Sequence, residues 1–201
     1  MKAGVLFSGG KDSCYSAYLA KKQGYELACL ISVFSENKES YMFHTPSIEK
    51  TKQQAQVMNI PLLIQKTKGE KEKELEDLEI AIKLAKEKYG VDTIVTGALH
   101  SVYQTSRIQK ICDKLELKCF NPLWHKDEIE YLHELINNKF KVLIIGLAAY
   151  PLNQSWLGRI IDEKFIDEVQ ILKEKYIMMI LVVLNGFTCM ILRNIFLTSK
   201  E

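Results

Sequence analysis

Apolar runs of strand length alternate with segments of helical periodicity along the first part of the chain. The apolar runs lie at 5–7, 27–34, 60–64, 93–97 and 117–124. Continuous apolar runs are typical of parallel strands that are buried on both faces. The alternation therefore predicts an α/β fold, built on a doubly wound parallel sheet with right-handed crossovers.

The segments between these runs have the period of helices. Helices are predicted from Asp12 to about residue 23, from Pro46 onwards, across residues 70–89 and near Tyr103. In the third of these, apolar residues recur at steps of three and four, and the other face is dense in Glu and Lys. This spacing predicts one buried face and one solvated face with ion pairs between neighbouring turns.

The first apolar run ends in a polar turn that leads into a helix. The turn consists of Ser8, Gly9, Gly10, Lys11, Asp12 and Ser13. Glycines let the backbone approach an anion closely, and the first N–H groups of a helix point at such a guest. Hydroxyl donors and a lysine charge suit a phosphate. The plain alternative is an ordinary strand-to-helix connection with a capping Ser or Asp.

Further polar residues follow the other predicted strands at the same edge of the sheet, where ligands of parallel α/β proteins bind. The candidates for nucleotide contact are Ser35, Gly97, Ser101 and Gln104, and those for substrate contact are Tyr41, His44 and Tyr103. Arg107 suits a phosphate or a developing negative charge. The plain alternatives are a loop histidine at position 44 and a surface helix arginine at position 107.

Composition narrows the class of protein. With 201 residues, 47% hydrophobic and 26% charged, the chain has the composition of an ordinary globular protein. A net charge of +2 gives no global basic field, so no nucleic acid partner is expected. The five cysteines form no C-x-x-C pair, which favours a reducing, cytoplasmic setting over a zinc site or a disulfide framework.

The regular alternation of predicted strands and helices ends in the last third of the chain. A helix is predicted at 127–137, a strand at 140–146 and a second helix at 162–175. We interpret residues 1–124 as one domain and residues 125–176 as a smaller α+β lobe.

The polar turn contains neither G-x-x-x-x-G-K-[ST] nor G-x-G-x-x-G. Its S-G-G-K-D-S sequence resembles instead the pyrophosphate loop of the N-type ATP pyrophosphatases, the PP-loop superfamily. Other elements resemble one branch of that superfamily, the diphthine–ammonia ligases or diphthamide synthetases. They are Ser35-Glu36-Asn37, Ser40-Tyr41, His44-Thr45, residues 69–74, Gly97-Ala98, Ser101, Tyr103-Gln104, Arg107, Pro122-Leu123-Trp124 and residues 155–159.

This resemblance implies a HUP-like fold of the adenine nucleotide alpha hydrolase type and a ligase that forms a C–N bond. It also implies that residues 1–124 are the ATP-binding PP-loop domain. ATP would adenylate the carboxylate of diphthine on elongation factor 2, and ammonium would supply the amide nitrogen. Lys11, Asp12 and Arg107 are the expected catalytic residues, Asp12 is the expected Mg²⁺ ligand, and Trp156 and Arg159 are expected to contact substrate.

Two other functions compete with this interpretation. A tRNA-modifying member of the PP-loop superfamily would use a catalytic cysteine or a zinc-binding cysteine cluster, and the cysteine spacing argues against it. A nucleotide-binding module that senses ATP or AMP without chemistry is the second alternative.

The segment 177–201 departs from the family pattern. The resemblance implies a glycine- and glutamate-rich segment after Tyr176, but the stretch 177–197 is apolar and contains Arg193 as its one charged residue. Three interpretations stand: a shifted reading frame, a buried element that completes the smaller lobe, and a membrane anchor. No membrane contact is expected unless the third is right.

Overall fold

The structure, a computed structural model, describes residues 1–36, 48–70, 73–147, 152–175 and 187–191. The chain divides into two compact units, residues 1–125 and residues 126–201. Each unit is described by itself.

The first unit alternates strand and helix throughout its described residues. Its elements are β1 (Lys2–Leu6), α1 (Lys11–Lys22), β2 (Glu26–Ser35), α2 (Ile48–Met58), β3 (Leu62–Thr67), α3 (Lys73–Tyr89), β4 (Thr93–Val95), α4 (Val102–Lys114) and β5 (Lys118–Phe120). All neighbouring strands are parallel, in the order β3-β2-β1-β4-β5. The predicted α/β class with a doubly wound parallel sheet is confirmed.

The strand order places a topological switch between β1 and β4. The chain builds outward from β1 through β2 to β3, then returns to the other side of β1 for β4 and β5. At such a switch the connections leave in opposite directions and open a crevice beyond the carboxyl ends of the strands. The turn after β1 and the turn after β4 are therefore neighbours, although they are about 90 positions apart in sequence.

Helices cover both faces of this sheet. One face of β2 presents Cys29, Ile31 and Val33, which pack in one apolar cluster with residues of α3 and α4 such as Leu78 and Ile111. The alternate residues of β2 point the other way, and α1 and α2 pack against this strand as well. Complete burial of a side chain such as Leu78 contributes about 1.5–3 kcal/mol.

The third strand lies later in the chain than its apolar run predicts. The run begins at residue 60, but the strand begins at Leu62 and continues through Gln65 and Lys66 to Thr67. Pro61 has no N–H to donate to the ladder, although its carbonyl accepts from Leu30 N at 2.8 Å. The polar residues stay in the strand because β2 supplies backbone partners up to the Ser35–Thr67 pair.

The second unit contains α5 (Glu128–Asn137), β6 (Val142–Leu147), a 3₁₀ turn (Gln154–Trp156), α6 (Glu163–Lys175) and β7 (Phe187–Ile191). Strand β6 is its centre. It pairs antiparallel with β7 on one edge, and an antiparallel bridge joins Leu143 to Ile160. Backbone bonds from Gly158 N to Ile144 O and from Ile161 N to Val142 O, at 2.9 and 3.0 Å, extend that second pairing.

The pairing of β7 with β6 bears on the apolar segment 177–201. A strand joined to the smaller lobe is what the interpretation as a structural element predicts. The pairing does not test the reading-frame interpretation, which concerns the coding sequence. Among the helices in the described part of the chain, none is long and apolar enough to cross a membrane.

If β7 completes the second unit, shortening the chain so that it ends at residue 186 should lower its stability. Removal of β7 would leave the backbone groups of one edge of β6 without their ladder partners. Ending the chain at residue 191, which keeps the strand, is the matched control. Urea unfolding of both forms measures the effect, and equal unfolding free energies would show that the strand contributes nothing.

Candidate nucleotide site

The turn after β1 is held by its own serines. Ser13 Oγ donates to the carbonyl of Gly10 at 3.1 Å and accepts from Ser8 N at 3.3 Å. The two hydroxyl oxygens, Ser8 Oγ and Ser13 Oγ, are 3.2 Å apart. Gly10 occupies the N-cap position of α1 and has no side chain to cap the helix. A helix N-terminus of this kind is a place where the first N–H groups can donate to a phosphate oxygen.

Lys11 brings a buried positive charge to this turn. Its side chain is 4% exposed, and Nζ lies 2.9 Å from Oδ1 of Asp12, whose side chain is 35% exposed. A buried ammonium needs a nearby negative charge, and Asp12 supplies one. The pair places a cation and a partly accessible carboxylate side by side at the start of α1.

Gly97, directly beyond β4, touches this first turn of α1 through its backbone. A Cβ at position 97 would lie 2.9 Å from the carbonyl carbon of Asp12 and 3.0 Å from Ser13 N. Only glycine fits so close to another main chain. The structure thus brings Gly97 together with Asp12 and Ser13, as expected for parts of one site.

Sequence reasoning missed the residue that holds the turn after β4. The side-chain nitrogen of Asn121, in the amide orientation that its neighbours require, donates to the carbonyls of Ala98 and Thr96 at 3.0 and 3.1 Å. His125 N donates to Leu99 O at 3.0 Å in the same turn. The signal was present in the sequence, because Asn121 directly precedes the Pro-Leu-Trp element.

The residues that follow Gly97 open α4. Ser101 is the N-cap of this helix, and its Oγ accepts from Gln104 N at 3.3 Å. The guanidinium carbon of Arg107 lies 3.5 Å from the ring centroid of Tyr103, a cation–π contact. The hydroxyl of Ser101 thus has a structural role as a cap, and Arg107 is not an isolated surface arginine.

The remaining residues predicted for the first unit are placed as follows. Ser35, 4% exposed, is the last residue of β2, the neighbour of β1 at the same edge of the sheet. Tyr41 and His44, predicted to contact substrate, lie outside the described residues.

Trp156 and Arg159 belong to one packed cluster in the second unit. The Arg159 guanidinium lies 4.4 Å from the Trp156 ring centroid and 5.3 Å from that of Phe165. Its Nη1 donates to Oε2 of Glu168 at 2.6 Å, and this bond lowers the pKa of Glu168. The two residues therefore hold α6 against the 3₁₀ turn, a packing role that sequence reasoning did not assign to them.

The thiols of Cys14 and Cys29 are not poised to react as thiolates. Burial raises the pKa of Cys14 and that of Cys29 to about 12 each. Cys112 is buried in the core and donates a hydrogen bond that lowers the pKa of the partly exposed Cys119. Among the described residues, no group of three or more His, Cys, Asp or Glu could hold a metal ion.

Two family models match the chain. The diphthamide synthase N-terminal domain matches residues 1–119, and the diphthamide synthase C-terminal domain matches residues 127–186. The second match extends ten residues beyond Tyr176, into the segment that departs from the expected glycine- and glutamate-rich pattern.

Individual proteins are similar to the chain over different spans. The diphthine–ammonia ligase of Homo sapiens is 31% identical over 182 residues, which covers 81% of this chain and 68% of that protein. A tRNA-specific 2-thiouridylase of Helicobacter pylori is 40% identical over 62 residues, 31% of this chain and 17% of that protein.

A solved structure from Methanocaldococcus jannaschii, described as a predicted subunit of a tRNA methyltransferase, is 19% identical to the chain. It superimposes with a TM-score of 0.49 and covers 96% of both chains.

Replacement of Gly97 by Ala should weaken ATP binding and destabilise the first unit. The new Cβ would press on the backbone of Asp12 and Ser13, and overpacking of this kind costs about 1–3 kcal/mol. Gly10→Ala is the comparison for stability, because its Cβ would meet Ser8 Oγ at an ordinary 3.4 Å. Thermal unfolding and ATP titration measure both effects; wild-type values for Gly97→Ala would show that the contact is not needed.

The thiols of Cys14 and Cys29 should resist alkylation in the folded protein at pH 8. Thiolate is the reactive form, and a pKa of about 12 leaves almost none of it. Cys119, with a lowered pKa and partial exposure, should react first. Mass spectrometry after iodoacetamide treatment, with and without urea, measures the order. Rapid labelling of native Cys14 would favour a cysteine-dependent chemistry.

Proposed function

This chain belongs to the diphthamide synthase family, and we propose that it amidates the carboxylate of diphthine on elongation factor 2, with ATP and ammonium as co-substrates. The overall reaction converts ATP to AMP and pyrophosphate and forms one C–N bond. Amide formation from a carboxylate in water is unfavourable, so the carboxylate must first be activated by ATP.

The observation that carries this proposal is the contact between the turn after β1 and the turn after β4. Gly97 meets the first turn of α1 at backbone distance, at the switch point where α/β sheets bind their ligands. The first N–H groups of α1, the two hydroxyls and the Lys11 charge all lie at this point. Such a set of donors suits the pyrophosphate end of ATP.

The chemistry has two steps. A carboxylate oxygen of diphthine attacks the α-phosphorus, the bond to the bridging oxygen of the β-phosphate breaks, and pyrophosphate leaves. Ammonia then attacks the carbonyl carbon, the bond to the phosphate oxygen breaks, and AMP leaves. Ammonia loses a proton as the amide forms.

Separate residues serve the two ends of the nucleotide in this scheme. Ser8, Lys11 and Ser13 bind the departing pyrophosphate, whose negative charge grows as the bond breaks. Arg107, held flat on Tyr103, stabilises the charge of the adenylate. Ser35, Ser101 and Gln104 are proposed to contact the nucleotide, and Tyr41, His44, Trp156 and Arg159 to contact substrate.

Asp12 is the proposed ligand of Mg²⁺. This ion keeps most of its waters and binds proteins through one or two carboxylates together with substrate phosphates. A single carboxylate that is 35% exposed, beside the phosphate-binding turn, fits this requirement. When bound, the ion neutralises part of the phosphate charge.

The two alternative functions are less well supported. A thiolating enzyme would use a catalytic cysteine or a zinc-binding cysteine cluster, and the cysteine spacing argues against it. Burial also raises the pKa of Cys14, the cysteine of the first turn of α1, to about 12. A module that binds nucleotide without chemistry would bind ATP equally well, so only an activity measurement separates it from a ligase.

Replacement of Lys11 by Ala should abolish most ATP-dependent amidation. The change removes a charged contact to the phosphates and leaves Asp12 without its cation. AMP release that requires both ammonium and diphthine-bearing elongation factor 2 is the assay. Lys83→Ala, at an exposed lysine of α3, is the control and should retain wild-type activity. Full activity in Lys11→Ala would remove this turn from the mechanism, and wild-type protein that binds ATP but releases no AMP would support the binding module.

A further inference from the structure

Gln54 contacts the phosphate-binding turn from outside it. This residue lies on α2, and its side-chain nitrogen Nε2 donates to the carbonyl of Gly9 at 3.0 Å. Gly9 has a φ of +78°, and a Cβ built there would collide with the Gln54 side-chain oxygen. The half-buried glutamine and the glycine thus approach each other more closely than a side chain at position 9 would allow.

The bond to Gly9 fixes the orientation of one peptide plane. In a trans peptide, the carbonyl of one residue and the N–H of the next point in opposite directions. With the Gly9 carbonyl directed at Gln54, the N–H of Gly10 points away from α2 and donates to Ser8 Oγ within the turn at 3.4 Å.

A peptide between two glycines has little intrinsic preference for this orientation. Glycine populates positive and negative φ about equally well, so the Gly9–Gly10 plane can rotate without steric penalty from a Cβ. Rotation would turn a carbonyl oxygen towards the phosphate-binding side, where it would repel an anion. The contact from α2 opposes this rotation.

We propose that Gln54 is a positioning residue for pyrophosphate, which holds the Gly9–Gly10 peptide with its N–H directed into the phosphate-binding turn. This role rests on the proposed function only in assigning the turn to the pyrophosphate end of ATP. Gln54 itself touches the protein backbone and is not a catalytic residue.

The role requires a donor at position 54, because the Gly9 carbonyl can only accept. Gln54→Met keeps the length and neutrality of the side chain and removes the donor. Gln54→Glu presents an ionised acceptor at neutral pH, but its protonated carboxyl can donate an O–H. Gln53→Glu places the same charge on an exposed position of the same helix and is the matched control.

Equilibrium titration of the full chain with pyrophosphate, ATP and AMP tests the proposal. Gln54→Met should bind pyrophosphate and ATP about 3- to 10-fold more weakly, the usual effect of one lost hydrogen bond. Its affinity for AMP, which lacks the pyrophosphate, should be unchanged. Gln54→Glu should be weaker than Gln54→Met at pH 8, because an acceptor then faces the Gly9 carbonyl.

Acidification should reverse the order of the two variants. Protonation of the new carboxyl in Gln54→Glu restores a donor, so at pH 3.5, below the ordinary glutamate pKa of about 4.3, this variant should bind pyrophosphate better than Gln54→Met does, each measured relative to wild type. Relief of charge repulsion alone would bring Gln54→Glu only to the level of Gln54→Met. Gln53→Glu should follow wild type at both pH values.

Two results would overturn the proposal. One is wild-type affinity for pyrophosphate in Gln54→Met. The other is an equal loss of affinity for AMP and for pyrophosphate in that variant, which would indicate a general loss of structure. Melting temperatures of the variants separate misfolding from the local effect. The titrations do not depend on amidation. A wild-type protein that binds pyrophosphate but forms no amide would contradict the proposed function and leave the role of Gln54 to be decided by the same affinity ratios.

Discussion

The backbone of Gly97 lies against the first turn of α1, where the nearest atoms of Asp12 and Ser13 would be about 3 Å from any added Cβ. The arrangement of the candidate site depends on this contact, because it fixes the turn after β4 relative to the turn after β1. The contact in turn depends on the parallel pairing of β1 with β4 and on Asn121, which holds the carbonyls of Thr96 and Ala98. A residue that directly follows β5 thereby supports a site to which its own side chain was not assigned.

The charged side chains at the start of α1 are also paired with each other. Lys11 is almost fully buried and pairs with Asp12, which avoids the cost of an isolated buried ammonium. The first N–H groups of α1 add partial positive charge at the same place. The positive charge of Lys11 and the partial positive charge of the helix N-terminus are therefore side by side.

In the second unit, residues of the Ser-Trp-Leu-Gly-Arg element pack against α6. Arg159, Trp156, Phe165 and Glu168 form one cluster of stacked and hydrogen-bonded side chains. A cation between two aromatic rings and a carboxylate stabilises the packing of α6 on the preceding turn. The Ser-Trp-Leu-Gly-Arg element therefore contributes to the structure of this unit.

The sequence by itself determined the class of fold, and it predicted a phosphate-binding turn after the first strand. Buried parallel strands need continuous apolar runs, and a close anion needs glycine, hydroxyl and lysine in adjacent positions, so both signals are local. Only the tertiary structure decided that Gly97 meets α1, that Asn121 holds the turn after β4 and that Gln54 fixes the Gly9 carbonyl. It also decided that Ser101 caps α4 and that Arg159 stacks on Trp156. The contacts of Gly97, Asn121 and Gln54 join residues distant along the chain, and even the nearer pairs depend on how the backbone folds, so neither periodicity nor residue type could reveal them.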